Sequence, residues 1–195
     1  MKNQKLTADC GRSMIEMLGV LTVIGLLSIL GIYGYLRAMD KLDLTKQAQQ
    51  VNQFSTAMID FLDRTRTSAV TVNSCTTSFV ELGYLPDSMT INASNGNTFL
   101  DNFSNVVQFI NPSDETIGIQ WNFSSKDQFM NIIQNLKNYA SKIRVIYIRG
   151  KVYWYGDRVC TTRGLCLFEK TLADFQEVAD TYSTGGYFDV YFYRA

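Results

Sequence analysis

Residues 11–35 read GRSMIEMLGVLTVIGLLSILGIYGY. From Met17 to Tyr35 no residue is charged. As a helix rising about 1.5 Å per residue, this run spans about 28 Å, close to the hydrocarbon thickness of a bilayer. It is longer than the about 7–15 apolar residues of a secretory signal peptide. Arg37, Met39 and Asp40 follow it, where a small-x-small cleavage site would stand. The segment therefore reads as a transmembrane helix. One acid, Glu16, stands at its start. Placing an ionised acid at the centre of a membrane helix costs about 2.5–3.5 kcal/mol on insertion scales, and less near an end. Two readings are open for it: a carboxylate resting at the headgroup level, or one that awaits a cationic partner.

Gly11, the polar step Arg12-Ser13, then Met14-Ile15, Glu16 and the long apolar run together resemble the class III signal of type IV pilins and pseudopilins. In that family a prepilin peptidase cuts after a glycine, the fifth residue after the cut is glutamate, and about twenty apolar residues follow. The resemblance implies a leader over residues 1–11, a hydrophobic assembly helix over 12–36, an amphipathic continuation over 37–66 and a globular head over 67–195. Gly11 and Arg12 would flank the cut, and the new amine on Arg12 would be open to methylation. The family's first mature residue is usually phenylalanine or another apolar residue; here it is arginine. In the family the acid equivalent to Glu16 pairs with the N-terminal ammonium of a neighbouring subunit. The implied partners are the peptidase, other copies of this chain or related pilins, the assembly platform and the inner membrane. Lysine and arginine flank the apolar helix almost evenly, so the motif sets the orientation and the positive-inside rule does not.

Composition narrows the function classes. The chain has 195 residues, with 18 basic and 18 acidic side chains and no histidine. Loss of Lys2, Lys5 and Asp9 with the leader would leave 16 basic and 17 acidic residues, a net charge of −1. That balance gives no nucleic-acid footprint. Without histidine the commonest general base and metal ligand are missing, and the acids show no paired spacing, so neither an enzyme nor a cofactor or metal site is expected. Asn92, Asn102 and Asn122 head N-x-S triplets, read here as chance in an Asn/Ser-rich chain.

Beyond the apolar run, Leu44, Ala48, Val51, Phe54, Met58, Phe61 and Leu62 recur at spacings of three and four, which predicts an amphipathic helix. No proline precedes Pro86, so one helix from about Ser13 to about Arg66, about 80 Å long, is expected. Glycines at 19, 25, 31 and 34 weaken its first half; they read as close-packing points, with a soft spot at Gly31–Gly34 as the second option. The head reads as an α+β domain in which the long helix backs an antiparallel β-sheet. Expected elements are a short helix over Ser78–Leu85 stopped by Pro86, a loop over Asn92–Asn105, and strands over Val106–Ile110 and Thr116–Phe123. A helix follows over Ser125–Tyr139 with a Ser125/Gln128 capping box, then a hairpin of Ile143–Ile148 and Lys151–Tyr155 turning at Arg149-Gly150. A helix through Leu172, Phe175, Val178, Ala179 and Tyr182 precedes a last strand, Tyr187–Tyr193, aromatic enough for a sheet centre or a packed edge. The helix ahead of the hairpin resembles the larger type IVb pilins.

Cys10 falls in the leader, leaving Cys75, Cys160 and Cys166. An exported domain permits disulfides. Pilins commonly staple a C-terminal loop, and Cys160–Cys166 around TTRGL is the preferred pair; a link from Cys75 to either one stays open. Three cysteines without histidine make a poor zinc site. Tyr147, Tyr153, Trp154 and Tyr155 read mainly as core, with a carbohydrate or surface-binding patch as the alternative.

The expected function is a structural subunit of a type IV pilus-like filament, a single-pass inner-membrane precursor that becomes extracellular on assembly. The alternatives are a periplasmic pseudopilin of a type II secretion system and a monomeric membrane-anchored binding domain.

Overall fold

The computed structural model describes residues 9–65, 71–94, 96–110, 115–149, 151–163, 165–182 and 185–193, the side chains of 9–13, 152 and 161–163 excepted. Most of the expected leader, the predicted helix end at Arg66 and Gly150 of the predicted hairpin turn lie outside them. The chain divides into two units, Met1–Leu42 and Asp43–Ala195.

The first helix, α1 (Asp9–Arg64), enters both units. In the second unit its amphipathic face is buried as the spacing predicts: Val51, Phe54, Met58, Phe61 and Leu62 are each 2% exposed or less. Helix α2 (Val72–Glu81) begins six residues before its predicted start at Ser78. The stretch VNSCTTS has weak helix propensity and reads as loop. Two things override that. The Thr71 side chain caps the helix by accepting from the Ser74 N–H, and Cys75, Thr76 and Phe79 bury one face. The helix also ends at Glu81, four residues before the predicted Leu85: the chain turns out of it at Gly83, whose φ of 74° glycine adopts at little cost.

Two short strands follow, β1 (Thr90–Ile91) and β2 (Thr98–Leu100), and the second corrects the predicted loop over Asn92–Asn105. The Asn, Ser and Gly around β2 hide a strand whose Phe99 is fully buried and pairs with Val107. Strands β3 (Val106–Ile110) and β4 (Thr116–Phe123) fall where the sequence puts them. Helix α3 (Lys126–Lys137) is capped by Ser125, whose Oγ accepts from the Gln128 N–H. The capping box is half made: the Gln128 carboxamide accepts from the Ser124 N–H, one residue before the cap. Strands β5 (Ile143–Ile148) and β6 (Lys151–Tyr155) pair as the predicted hairpin. Helix α4 (Asp157–Arg163) then replaces much of the loop expected between Cys160 and Cys166. Helix α5 (Leu172–Thr181) starts in a complete Thr171/Asp174 capping box, and β7 (Gly186–Tyr193) follows it.

Among the described residues the seven strands form one antiparallel sheet in the order β1-β2-β3-β4-β7-β5-β6. The last strand in the chain thus lies inside the sheet, between β4 and β5. Strand alternation gives the sheet two unlike faces. The inner face carries Phe109, Ile119, Trp121, Val190, Phe192, Ile146 and Trp154, all buried. Phe54 of α1 meets Trp121 edge-on at 5.7 Å, Phe79 of α2 meets Phe109 at 5.3 Å, Phe129 of α3 meets Phe188 at 6.0 Å, and Phe175 of α5 meets Trp154 at 5.1 Å. The outer face carries Gln108, Gln120, Asp189, Tyr147 and Tyr191. The fold is α+β, with a long N-terminal helix whose second half packs on an antiparallel sheet.

Candidate functional site: the N-terminal helix and its anchorage in the head

In the first unit every described side chain from Met14 to Ala38 is exposed. The apolar ones are not marginally so: Ile15 is 72% and Ile24 53% exposed. The helix passes the length and composition test for a membrane span, with a mean hydropathy of 2.3 in its most apolar window and none of that window buried. Water does not tolerate a contiguous apolar surface of this kind on a helix; lipid or neighbouring helices must cover it. The two aliphatic hydroxyls inside the run are already satisfied for such a setting. Thr22 Oγ1 donates to the Leu18 carbonyl and Ser28 Oγ to the Ile24 carbonyl, each at 2.8 Å. A hydroxyl bonded back to its own helix needs no outside partner at membrane depth. Gly11 and Arg12 lie within the helical backbone, and their side-chain surroundings are outside the described residues. Glu16 is exposed on the same helix, five positions beyond Gly11.

In the head unit α1 is held by more than apolar packing. Asp101 is a carboxylate only 5% exposed. Its Oδ2 accepts from Gln47 Nε2 at 3.3 Å, Asn105 Nδ2 at 3.1 Å and Trp121 Nε1 at 3.3 Å. Its Oδ1 accepts from the backbone N–H groups of Phe103 and Asn105, both at 2.9 Å. All five donors are neutral, so the charge is held by convergent dipoles. The neighbouring Gln50 accepts from the Asn102 N–H at 3.0 Å and donates to the Ser88 carbonyl at 2.5 Å. Two α1 carbonyls are also gripped: Asp43 by Asn102 Nδ2 at 2.9 Å and Leu44 by Asn131 Nδ2 at 2.7 Å. The 101–105 turn, β4 and α3 thus all fasten the first turns of α1 within the head. Sequence reasoning missed this seam, having placed 101–105 in a loop. The available signal was Gln47 and Gln50, two amides inside the stretch predicted to be the amphipathic face.

Cys160 and Cys166 form a disulfide, with Cα atoms 4.7 Å apart. It closes a loop that zips onto the edge strand β6: Tyr155 N–H donates to the Leu165 carbonyl at 2.7 Å, and Leu167 N–H to the Tyr155 carbonyl at 2.9 Å. Cys75 is buried on α2, 1% exposed. The aromatic cluster of the sequence divides between the faces. Trp154 is core, 3% exposed. Tyr153 packs toward α5, its hydroxyl 3.0 Å from that of Tyr182, and this bond, with burial, pushes the Tyr182 hydroxyl above its ordinary value. Tyr147 lies on the outer face, opposite Asp189. Burial raises the Asp189 carboxyl above its ordinary range, partly offset by the hydrogen bond from Gln120.

No family model matches the sequence, and no curated protein matches it. Among solved structures, the chain is similar to a crystal structure of type IV b pilin from Salmonella typhi, with 12% identity and a TM-score of 0.53, over 76% of this chain and 98% of that one. The chain therefore has the fold of a type IV pilin, with its long N-terminal helix and antiparallel sheet.

Proposed function

We propose that this protein is a structural subunit of a type IV pilus-like filament, made as a single-pass membrane precursor, cut between Gly11 and Arg12 by a prepilin peptidase and assembled through α1. The observation that carries this reading is the fully exposed apolar helix, led by the Gly11/Glu16 spacing, on a head of type IV pilin fold. The precursor inserts with its leader on the cytoplasmic side. Cleavage frees an ammonium on Arg12, which is open to methylation. The helix then leaves the bilayer for a bundle of like helices, where apolar surface exchanges lipid for protein.

Glu16 acts in this scheme as a register check. A carboxylate and an ammonium about 4 Å apart attract by about 4 kcal/mol at an effective dielectric of 20. A subunit entering in register gains that attraction; one entering out of register carries an uncompensated charge in an apolar setting. Arg12 carries a second cation, its guanidinium, on the same residue as the new amine.

The test is co-expression with a prepilin peptidase followed by mass spectrometry of the N-terminus. Loss of residues 1–11 is the expected result; an intact Gly11–Arg12 bond in the presence of active peptidase overturns the reading. Imaging cells with and without the gene then separates a surface fibre from a pseudopilus, since only the fibre reading loses surface filaments on deletion.

A further inference from the structure

The outer face of the sheet holds a groove that filament assembly through α1 does not use. Two adjoining recesses of about 380 Å³ each share Arg144, Val145 and Tyr147. One is walled by Thr116, Asp189 and Tyr191; the other runs on toward Tyr155 and Tyr193. Its floor is built, not incidental. Tyr147 and Tyr191 meet edge to face at 5.6 Å, which fixes both rings. Tyr191 pairs across strands with Gly118 and leans over it: a Cβ at Gly118 would come within 2.8 Å of the ring. Asp189 lies between Gln120 and Tyr147 in the strand register. A relay orients it: Gln108 Nε2 donates to Gln120 Oε1 at 2.7 Å, and Gln120 Nε2 donates to Asp189 Oδ1 at 3.0 Å. Among the described residues no donor is recorded at Asp189 Oδ2. Arg144, on the far side, lies 3.7 Å from Glu115.

The chemistry of this lining selects its occupant. A half-buried carboxylate that has lost part of its hydration gains from hydroxyl donors and repels an anion. Arg144, whose charge is partly balanced by Glu115, offers donors to neutral oxygens. Under the groove β4, β7 and β5 are interior strands, and at the edge strand β6 Tyr155 already bonds Leu165 and Leu167, so an extended peptide cannot add there. An aliphatic ligand would cover Asp189 and the Arg144–Glu115 pair and offer them no hydrogen bond in place of water. A neutral polyol satisfies all of these: hydroxyls that donate to Asp189 and accept from Arg144, and C–H faces that rest on tyrosine rings. We propose that the groove is a binding site for a neutral oligosaccharide, with Tyr147 and Tyr191 beneath the sugar rings and Asp189 and Arg144 bonding their hydroxyls. Two linked recesses suit a disaccharide or longer chain.

The experiment is a calorimetric titration of the full chain, kept unassembled in a phosphocholine detergent, which carries no sugar. The probes are cellotetraose, maltotetraose, chitotetraose and lacto-N-tetraose, with 3′-sialyllactose as the anionic control. The expected result is saturable binding of at least one neutral probe, weakened at least about tenfold by Tyr147→Ala and by Asp189→Ala, the cost of losing a hydrogen bond to a charged group or an aromatic contact. Tyr147→Phe keeps the ring and stays within about threefold of the parent, which separates a lost contact from a misfolded face. No neutral binding, binding indifferent to both alanine variants, or a preference for sialyllactose overturns the proposal. So does hydroxyl-radical footprinting that finds Tyr147 covered in assembled filaments without sugar, which would assign the groove to a second copy. The titration is blind to cleavage and assembly, so its failure leaves the filament reading standing.

Discussion

Replacing Asp101 with alanine tests the anchorage of α1 in the head. The substitution removes the acceptor of five N–H donors, two backbone and three side-chain, in a site 5% exposed. A hydrogen bond to a charged group contributes about 1.5–3 kcal/mol, and a buried donor left unsatisfied costs about 1–3 kcal/mol. The five do not add, because the turn at 101–105 can relax and water can enter. Removing a partly desolvated charge also returns several kcal/mol. The net expectation is a loss of about 3–5 kcal/mol, roughly what two buried donors left unsatisfied would cost. Urea unfolding of the full chain in detergent, followed by tryptophan fluorescence, reads this directly because Trp121 is one of the donors. With a slope of about 2 kcal/mol per molar urea, the midpoint falls by about 2 M. Asp101→Asn is the sharper variant. It keeps the shape and one carbonyl, but its NH₂ turns toward donors wherever it points. It should be nearly as damaging as alanine. A midpoint for Asp101→Asn within about 0.3 M of the parent, or about 0.5 kcal/mol, would refute the convergent-donor account.

Glu16→Ala is expected to insert normally and to give a much lower yield of sheared filaments; a normal yield refutes the register check. The folded-state carboxyl of Asp189 is raised above its ordinary 3.8 by burial, so its contribution to stability is complete below that value and disappears as pH rises through the raised one. Urea midpoints between pH 4 and 7 should therefore fall more for the parent than for Asp189→Asn, and parallel curves would count against it. Cys160→Ser opens a loop of six-residue separation, and chain entropy puts the loss at about 2 kcal/mol, readable as a midpoint shift that dithiothreitol reproduces in the parent. Gly156→Ala would set a Cβ 1.7 Å from the Ile143 carbonyl oxygen and 2.5 Å from that of Ala140, both backbone atoms, so this variant should lose about 3 kcal/mol or more and accumulate poorly.

The parts of the fold legible in the sequence are those where one local pattern dominates. The period of Val51, Phe54, Met58, Phe61 and Leu62 had no competing signal, and neither did the alternation in β4 or β7. The errors share one cause. At VNSCTTS and NTFL the local residues favour loop, and burial of Cys75, Phe79 and Phe99 against distant segments reverses that preference. Tertiary contacts of this kind leave no mark within a short window. The same holds for α4: its residues read as a loop between two cysteines, yet the segment folds beside the β5–β6 hairpin, and its Asp157 N–H donates to the carbonyl of Ala140, just ahead of β5, at 3.1 Å. The apolar run was open to reading because its meaning lies in its order along the chain. The groove was not, since Tyr147, Asp189 and Gln120 meet only through strand register.

The polar character of the seam at Gln47, Gln50 and Asp101 bears on the proposed role. Apolar packing alone would fix α1 in the head by area, and area changes little when a helix slips by one turn. A helix drawn into a filament by its N-terminal half transmits load into the head at its first turns there. Those are the turns whose carbonyls, at Asp43 and Leu44, are held by Asn102 and Asn131. Slippage by about 5.4 Å would leave these bonds and the Asp101 donors unmade together, at several times the cost of shifting an apolar contact. The apolar face supplies most of the adhesion between α1 and the sheet; the buried amides and the carboxylate set where along the helix that adhesion applies. Under the proposed function Glu16 has the corresponding part between subunits, and each half of α1 then pairs a large non-directional contact with a small polar group that fixes register.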